Sequence, residues 1–369
     1  MVASLLPPNG TPLLRAFEQA AAYEPHVEAA LGLIANVKGR NLPAFLQFLL
    51  WEYGLIELAP YLDNPYVLIE EGRPWQIERD TFAAVSRGLS WLGQPAAIVE
   101  APGRRRWWNN FQLYLEALPA ADSPTLQRID RVTRLGKPFR SDFRRGVWNF
   151  DAPALEAGWT RLGSSMLADD SGVRVEAGGP KWSFRRDHDN SYLLTESEGV
   201  ALGNWVEPVE GDVPWSEMDF PWSTAFAPWA SDVATIRRSV MASWFVGRSA
   251  HVRLRDAAGD VIGYRRASAC RTVKAAGGGA YSVAGLAYAP APDGGAFLIR
   301  ATIDAGNGAR SIAETADVLI GGEIDDSIPP GRLWLEPGQL TGGVPIAPLA
   351  KTIPLRAAVR ERLTFLVRF

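Results

Sequence analysis

Residues 353–369 read IPLRAAVRERLTFLVRF. Ile353, Leu355, Ala357 and Val359, then Leu363, Phe365, Val367 and Phe369, put apolar side chains at every second position, the period at which a strand buries one face. An alternating run closing on Phe369 reads as a packed strand and not as a frayed tail. Upstream, residues 251–256 and 261–268 flank an Ala-Ala-Gly-Asp turn, and residues 281–289 and 297–303 are set off by Pro- and Gly-rich turns. Residues 249–369 therefore predict a β-rich, sandwich-like domain.

Moving toward the amino end, residues 146–248 have a different texture: short aromatic runs broken by Gly and Pro, with no helical stripe for roughly eighty residues, long for a structureless loop. Eight of the 14 tryptophans lie here: Trp148, Trp159, Trp182, Trp205, Trp215, Trp222, Trp229 and Trp244. Pro214-Trp215, Pro221-Trp222 and Pro228-Trp229 recur at seven-residue spacing. Interior proline costs a helix about 3 kcal/mol each, which excludes a coiled coil. The segment reads as an irregular or β connector, or as one ordered by a partner.

Residues 1–145 carry helical patterns. Thr11-Pro12 supplies an N-cap and a first-turn proline ahead of Leu13, Leu14, Phe17 and Ala20, giving a helix to about Glu24. A second helix through Val27, Leu31 and Ile34 follows Pro25, and a third opens at Asn41 with Phe45, Phe48 and Leu49 on one face. Pro60 and Pro65 break the pattern. Residues 78–92 offer Phe82, Val85, Leu89 and Leu92 as a buried stripe. Residues 96–100 and 111–118 read as strands, and Ser123-Pro124 begins a helix with Leu126, Ile129 and Val132 inward. The whole is α+β: a helical amino-terminal domain with a small sheet (1–145), a Trp-rich connector (146–248) and a β-rich end (249–369).

Thirty-eight Lys and Arg against 41 Asp and Glu give a net charge of -3, without the basic excess of an extended nucleic-acid footprint. A single cysteine, Cys270, excludes an intrachain disulfide and a cysteine-based zinc site, and His26, His188 and His251 are too few for histidine-rich metal chemistry. Residues 1–14 carry no positive charge and are broken by Pro7, Pro8, Asn9 and Gly10, so no secretory signal is expected and the chain reads as made in a cytoplasm. No stretch is apolar for the length of a bilayer.

No nucleophile elbow, P-loop or zinc-protease motif is present. Asp187-His188-Asp189-Asn190 is the most site-like cluster, but it lacks the glycine and terminal glutamate of a calcium loop and reads first as a solvated turn. Asp169-Asp170 and Asp325-Asp326 are adjacent pairs, not carboxylates converging across a bond, and turn chemistry accounts for them. No catalytic residue, metal site or cofactor is assigned. Arg104, Arg105, Arg106, Trp107 and Trp108 combine the residue types enriched at protein interfaces. With Trp215, Trp222 and Trp229 they are the candidate partner interface, core filling and sugar stacking on exposed indoles being the alternatives for the tryptophans. The basic run Arg128, Arg131, Arg134, Lys137, Arg140, Arg144 and Arg145, diluted by Asp130 and Asp142, is either a solvated face or a docking face.

The residues at 5–13 (Leu-Leu-Pro-Pro-Asn-Gly-Thr-Pro-Leu), the Asn41-Leu42-Pro43-Ala44-Phe45-Leu46 helix start with Trp51 beyond it, and Lys137-Pro138-Phe139-Arg140-Ser141 resemble the phage tail protein I family, in family order over about residues 1–150. The resemblance implies a structural, non-enzymatic subunit of a baseplate wedge in a contractile tail, assembled in the host cytoplasm. Its implied partners are tail protein J-like wedge subunits, neighbouring baseplate and hub proteins, and tail fibre proteins, with no nucleic acid and no membrane. A carbohydrate-recognition protein of the tail is the competing class.

Overall fold

A computed structural model describes residues 6–21, 31–32, 43–100, 108–158, 160, 165–206 and 233–369. The chain divides into two units, Met1–Gln94 with Arg131–Arg140, and Pro95–Asp130 with Ser141–Phe369.

The first unit is helical. Helix α1 (Pro12–Ala20) starts as its sequence dictates: the Thr11 hydroxyl accepts the Leu14 amide at 3.4 Å, and Pro12 occupies a position whose N–H would have no helical partner. A 3-10 turn at Pro43–Phe45 leads into α2 (Leu46–Glu52). The expected break at Pro65 is instead a helix start: Asn64 accepts the Tyr66 amide at 2.9 Å and Pro65 opens α3 (Pro65–Glu78), which also runs through Pro74. Leu68, Ile69, Gly72 and Trp75 are its buried face. A Cβ on Gly72 would stand 2.7 Å from Leu55 Cδ2, so glycine lets the backbone come close at this point. Helix α4 (Phe82–Trp91) is capped by Thr81, and the Trp75 indole donates to the Ala84 carbonyl at 2.9 Å. Val85 and Leu89 are fully buried, as their spacing predicts. Helix α5 (Thr125–Gly136) follows its predicted stripe, with Leu126, Ile129 and Val132 inward, and Val132 packs where a Cβ on Gly88 would clash. The predicted helix through Val27, Leu31 and Ile34 lies largely outside the described residues.

The second unit is built from strands: β1 (Ala96–Glu100), β2 (Asn110–Leu115), β3 (Asp142–Trp148), β4 (Val173–Arg174), β5 (Lys181–Leu193), β6 (Ala250–Arg255), β7 (Val261–Arg266), β8 (Ala269–Ala275), β9 (Tyr281–Val283), β10 (Leu286–Pro290), β11 (Ala296–Ile303), β12 (Ile312–Ile320), β13 (Glu323–Ile324), β14 (Trp334–Leu335), β15 (Leu340–Thr341), β16 (Val344–Pro354) and β17 (Val359–Arg368). Two helices, α6 (Glu196–Ala201) and α7 (Val233–Trp244), lie between β5 and β6. One mixed sheet has the order β1-β2-β3-β5-β17-β11-β8-β10-β9, with β4 on β5; the second is β14-β7-β6-β12-β16, and β13 pairs with β15 as a ribbon. The pairs β2–β3, β3–β5 and β5–β17 are parallel.

The two sheets share one core, as a sandwich does. Val252 and Leu254 of β6 and Ala316 and Val318 of β12 pack in one cluster with Phe297 and Ile299 of β11 and Leu363, Phe365 and Val367 of β17. Phe245, just past α7, stacks on Phe297 at 5.0 Å and on Phe369 at 5.7 Å.

Three departures from the sequence reading have physical causes. The middle segment contains β5, 13 residues long, which pairs with β17 over ten positions, Phe184↔Val359 to Leu193↔Arg368. Its period-two signal is hidden because both faces are polar: Arg186 and His188 point to one side, Arg185, Asp187 and Asp189 to the other. Residues 281–289 form a hairpin and not one strand, turning at Ala284 (φ 48°) and Gly285 (φ 81°), where two left-handed residues match the twist of paired strands. Strands β8 and β12 escaped notice because charged residues interrupt them; Asp317 of β12 is held by Arg253 of β6.

Candidate partner interface

Of the interface residues expected from sequence, Trp108 is described and is 69% exposed. Arg104, Arg105, Arg106, Trp107, Trp215, Trp222 and Trp229 lie outside the described residues.

The apolar surface that the structure does present lies elsewhere, on the first unit. Helix α2 turns Leu46 and Leu49 inward, while Phe48 (69% exposed) and Trp51 (74% exposed) project outward. Gly54, at φ 65°, reverses the chain, and the next 3-10 turn (Ile56–Leu58) buries Leu58 and exposes Ile56. Gln47, Phe48, Leu50, Trp51, Ile56 and Ala59 thereby line an open groove of about 540 Å3. Phe45, expected to share a face with Phe48 and Leu49, sits 6.5 Å from Phe48 on the exposed side, away from the buried Leu49. On α1 the stripe Leu13, Leu14 and Phe17 is also exposed, and none of that helix's residues is buried. Several large apolar side chains within one helical unit exceed the scatter of a monomer surface. Phe45, Phe48 and Leu49 do not share one face as their spacing predicts; periodicity marks apolar positions without telling which of them the chain's own core takes.

The basic run is resolved at its carboxyl end. Arg145 is 2% exposed and pairs with Asp151, with a further bond to Gln112 at 3.1 Å; Arg144 pairs with Asp170 and lies 3.2 Å from Asp169. These two arginines are neither a solvated nor a docking face; they are structural, fastening Asp151, Asp169 and Asp170 to β3. Burial, together with the hydrogen bond to Asp151, pushes the Tyr114 phenol up to about 12, which keeps it a neutral donor.

The Asp187-His188-Asp189-Asn190 cluster is a strand and not the expected turn, and alternation divides it. Asp187 pairs with Arg362 at 2.6 Å and Arg185 at 3.0 Å on one face, whereas His188 Nε2 lies 2.8 Å from the buried Glu361 on the other. Asp325 accepts the Ser327 amide at 2.8 Å, the expected turn. Among the described residues no group of three or more His, Cys, Asp or Glu is placed to hold a metal ion, and no helix is long and apolar enough to cross a membrane. Burial raises the Cys270 thiol to about 11, so it stays protonated at neutral pH.

The exposed apolar faces of α1 and α2 are the kind of surface that a protein partner covers. Residues 6–140 match the family described as phage tail protein (Tail_P2_I), in agreement with the resemblance carried by the amino-terminal motifs. The exposed groove and α1 both fall inside that span. The match supports a structural role in a phage tail, a place in the virion's tail and association with other tail proteins. No curated protein matches the chain.

Proposed function

We propose that the protein is a baseplate wedge subunit of a contractile phage tail. In this reading the amino-terminal unit docks a tail protein J-like subunit through α1 and the Phe48–Trp51–Ile56 groove, and the β-rich part reaches hub, baseplate and fibre proteins after assembly in the host cytoplasm. The protein acts by binding and not by catalysis. The observation that supports this is the coincidence of the family match over residues 6–140 with exposed apolar helix faces in the same span. Large apolar contacts anchored by aromatic residues hold obligate assemblies together.

The test is co-expression and co-purification of the chain with a tail protein J-like subunit, using Phe48→Ala with Trp51→Ala. Both side chains are mostly exposed, so the double variant is expected to keep its circular dichroism and melting profile while losing the complex. Complex formation at wild-type yield by the folded double variant would refute the assignment of this surface.

A further inference from the structure

The large sheet has a second face, turned away from the sandwich core. The β5–β17 register puts Arg185 beside Arg360, Asp187 beside Arg362, and Asp189 beside Thr364; the β11–β17 register adds Thr302 next to Arg362 and Arg300 next to Thr364. Four arginines from three adjacent strands therefore share one corner of this face with two aspartates.

Their partners do not balance. Asp187 is shared, 3.0 Å from Arg185 Nε and 2.6 Å from Arg362. Asp189 is occupied by the Ala284 amide of the β9–β10 turn at 3.0 Å. Arg360 is 3.8 Å from Asp304, a carboxylate it shares with Arg265. Arg300 is half-buried and is in ion-pair contact with no carboxylate among the described residues; its polar contact is the Thr364 hydroxyl at 3.4 Å. The Nε of Arg362 is buried without an acceptor among the described residues. Burial, and then the like charge of Arg362, draw Arg300 below its ordinary range, and burial is also the first cause for Arg185.

Two aromatic rings lie against guanidinium groups of this corner. Arg185 and Arg360 lie over Phe150, 5.5 and 4.9 Å from its centroid, and Arg300 and Arg271 lie over Tyr281 at 4.8 and 5.7 Å. The planar guanidinium presents its N–H donors as a fork that can meet two oxygens at once. Asp187 and Asp189 act on Arg300 from a distance without pairing with it, and a cluster of half-buried guanidinium groups that outnumbers its carboxylates is a candidate for anion binding.

We propose that this corner of the sheet binds an oxyanion, a phosphate or carboxylate group, seated among Arg300, Arg362 and Arg185. It would lie beyond the family-matched span and independent of the groove on the first unit.

The experiment is calorimetric titration of the full chain with sodium phosphate and with disodium glutarate, at ionic strength held constant with sodium chloride. Wild type is expected to bind at least one of them saturably, and Arg300→Gln to weaken that binding by about tenfold or more, the loss typical of a charge-assisted hydrogen bond. Arg362→Gln should weaken it likewise. Arg255→Gln, on the other sheet where Arg255 bonds the Gly259 carbonyl, should leave it unchanged. Binding of phosphate alone identifies a phosphoryl group as the ligand, and of glutarate alone a carboxylate. Melting without added oxyanion supplies the second readout: Arg300→Gln should hold or raise the midpoint, because it relieves the repulsion between Arg300 and Arg362. No saturable binding of either anion by wild type, undiminished binding by both arginine variants, or a lowered midpoint in Arg300→Gln would each overturn the proposal.

Discussion

Removing the Asp122 carboxylate should loosen the joint between the start of α5 and the β16–β17 turn, and the structure says by how much. Arg356 Nε lies 2.9 Å from Asp122 Oδ1 and its Nη2 2.5 Å from the same oxygen, Nη1 donates to the Pro119 carbonyl at 2.6 Å, and Asp122 Oδ2 accepts the Ala358 amide at 3.1 Å. The two side chains are 10% and 15% exposed, so Asp122→Ala strands a mostly buried guanidinium and a backbone N–H together. Breaking a buried pair from one side costs about 3–5 kcal/mol. The surviving Pro119 bond and the residual exposure place the expected loss near the low end, about 3 kcal/mol. Replacing both partners with apolar residues, Asp122→Leu with Arg356→Met, leaves no orphaned charge and should cost about 1 kcal/mol or less. Two units make one melting curve a poor measure of a local change, so the readout is hydrogen exchange of peptides spanning residues 117–124 and 353–361. A double variant as deprotected as Asp122→Ala, or a single variant within about 0.5 kcal/mol of wild type, would refute the charge argument.

Two other perturbations have expected signs. Gly146→Ala would drive a methyl into the indole of Trp182, which is 3% exposed and packed on Phe143 and Phe184; a loss of about 3 kcal/mol is expected, partly restored by Trp182→Leu, and exchange of the β3 and β5 amides measures both. His251 is fully buried on β6, neither ring nitrogen has a partner among the described residues, and burial, helped by the Arg266 charge, lowers it from 6.5 to about 4. The unfolded chain then binds a proton that the folded chain refuses between those values. Stability should therefore fall by about 3 kcal/mol as pH drops from 6.5 to 4, and urea midpoints of His251→Leu should lose that acid slope.

Local chemistry was legible wherever one signal was sufficient. Thr11-Pro12 could start a helix in only one way, the stripe of Leu126, Ile129 and Val132 could face only inward, and the alternation of Leu363, Phe365 and Val367 could only be a strand. What stayed hidden depended on a second chain segment. Helix α3 was missed because Pro60 and Pro65 read as local obstacles, while the contact made at Gly72 by Leu55 is not local. Strand β5 was not separable from an irregular or β connector, and its Asp187–Asn190 stretch read as a solvated turn, because Arg186, His188 and Asp187 are satisfied by Glu361 and Arg362, about 175 residues away. The interface was half legible for a related reason. Phe45, Phe48 and Leu49 were assigned one face, but only the structure shows Leu49 turned to the chain's own core and the two phenylalanines turned out.

The place of β17 between β5 and β11 bears on how this protein can be taken apart. A fragment stopping near residue 150 would bare the edge of β3, whose partners Lys181 to Phe184 come later in the chain. A fragment starting near residue 249 would bare the other edge, ten positions of β17 without Phe184 to Leu193 beside them. Long unpaired edges recruit strands from other molecules, so both pieces would be prone to aggregate even where their cores are intact. Soluble expression of either part would require the missing strand to be supplied in trans, a mixing experiment in which a peptide spanning β5 should rescue the carboxyl-terminal piece.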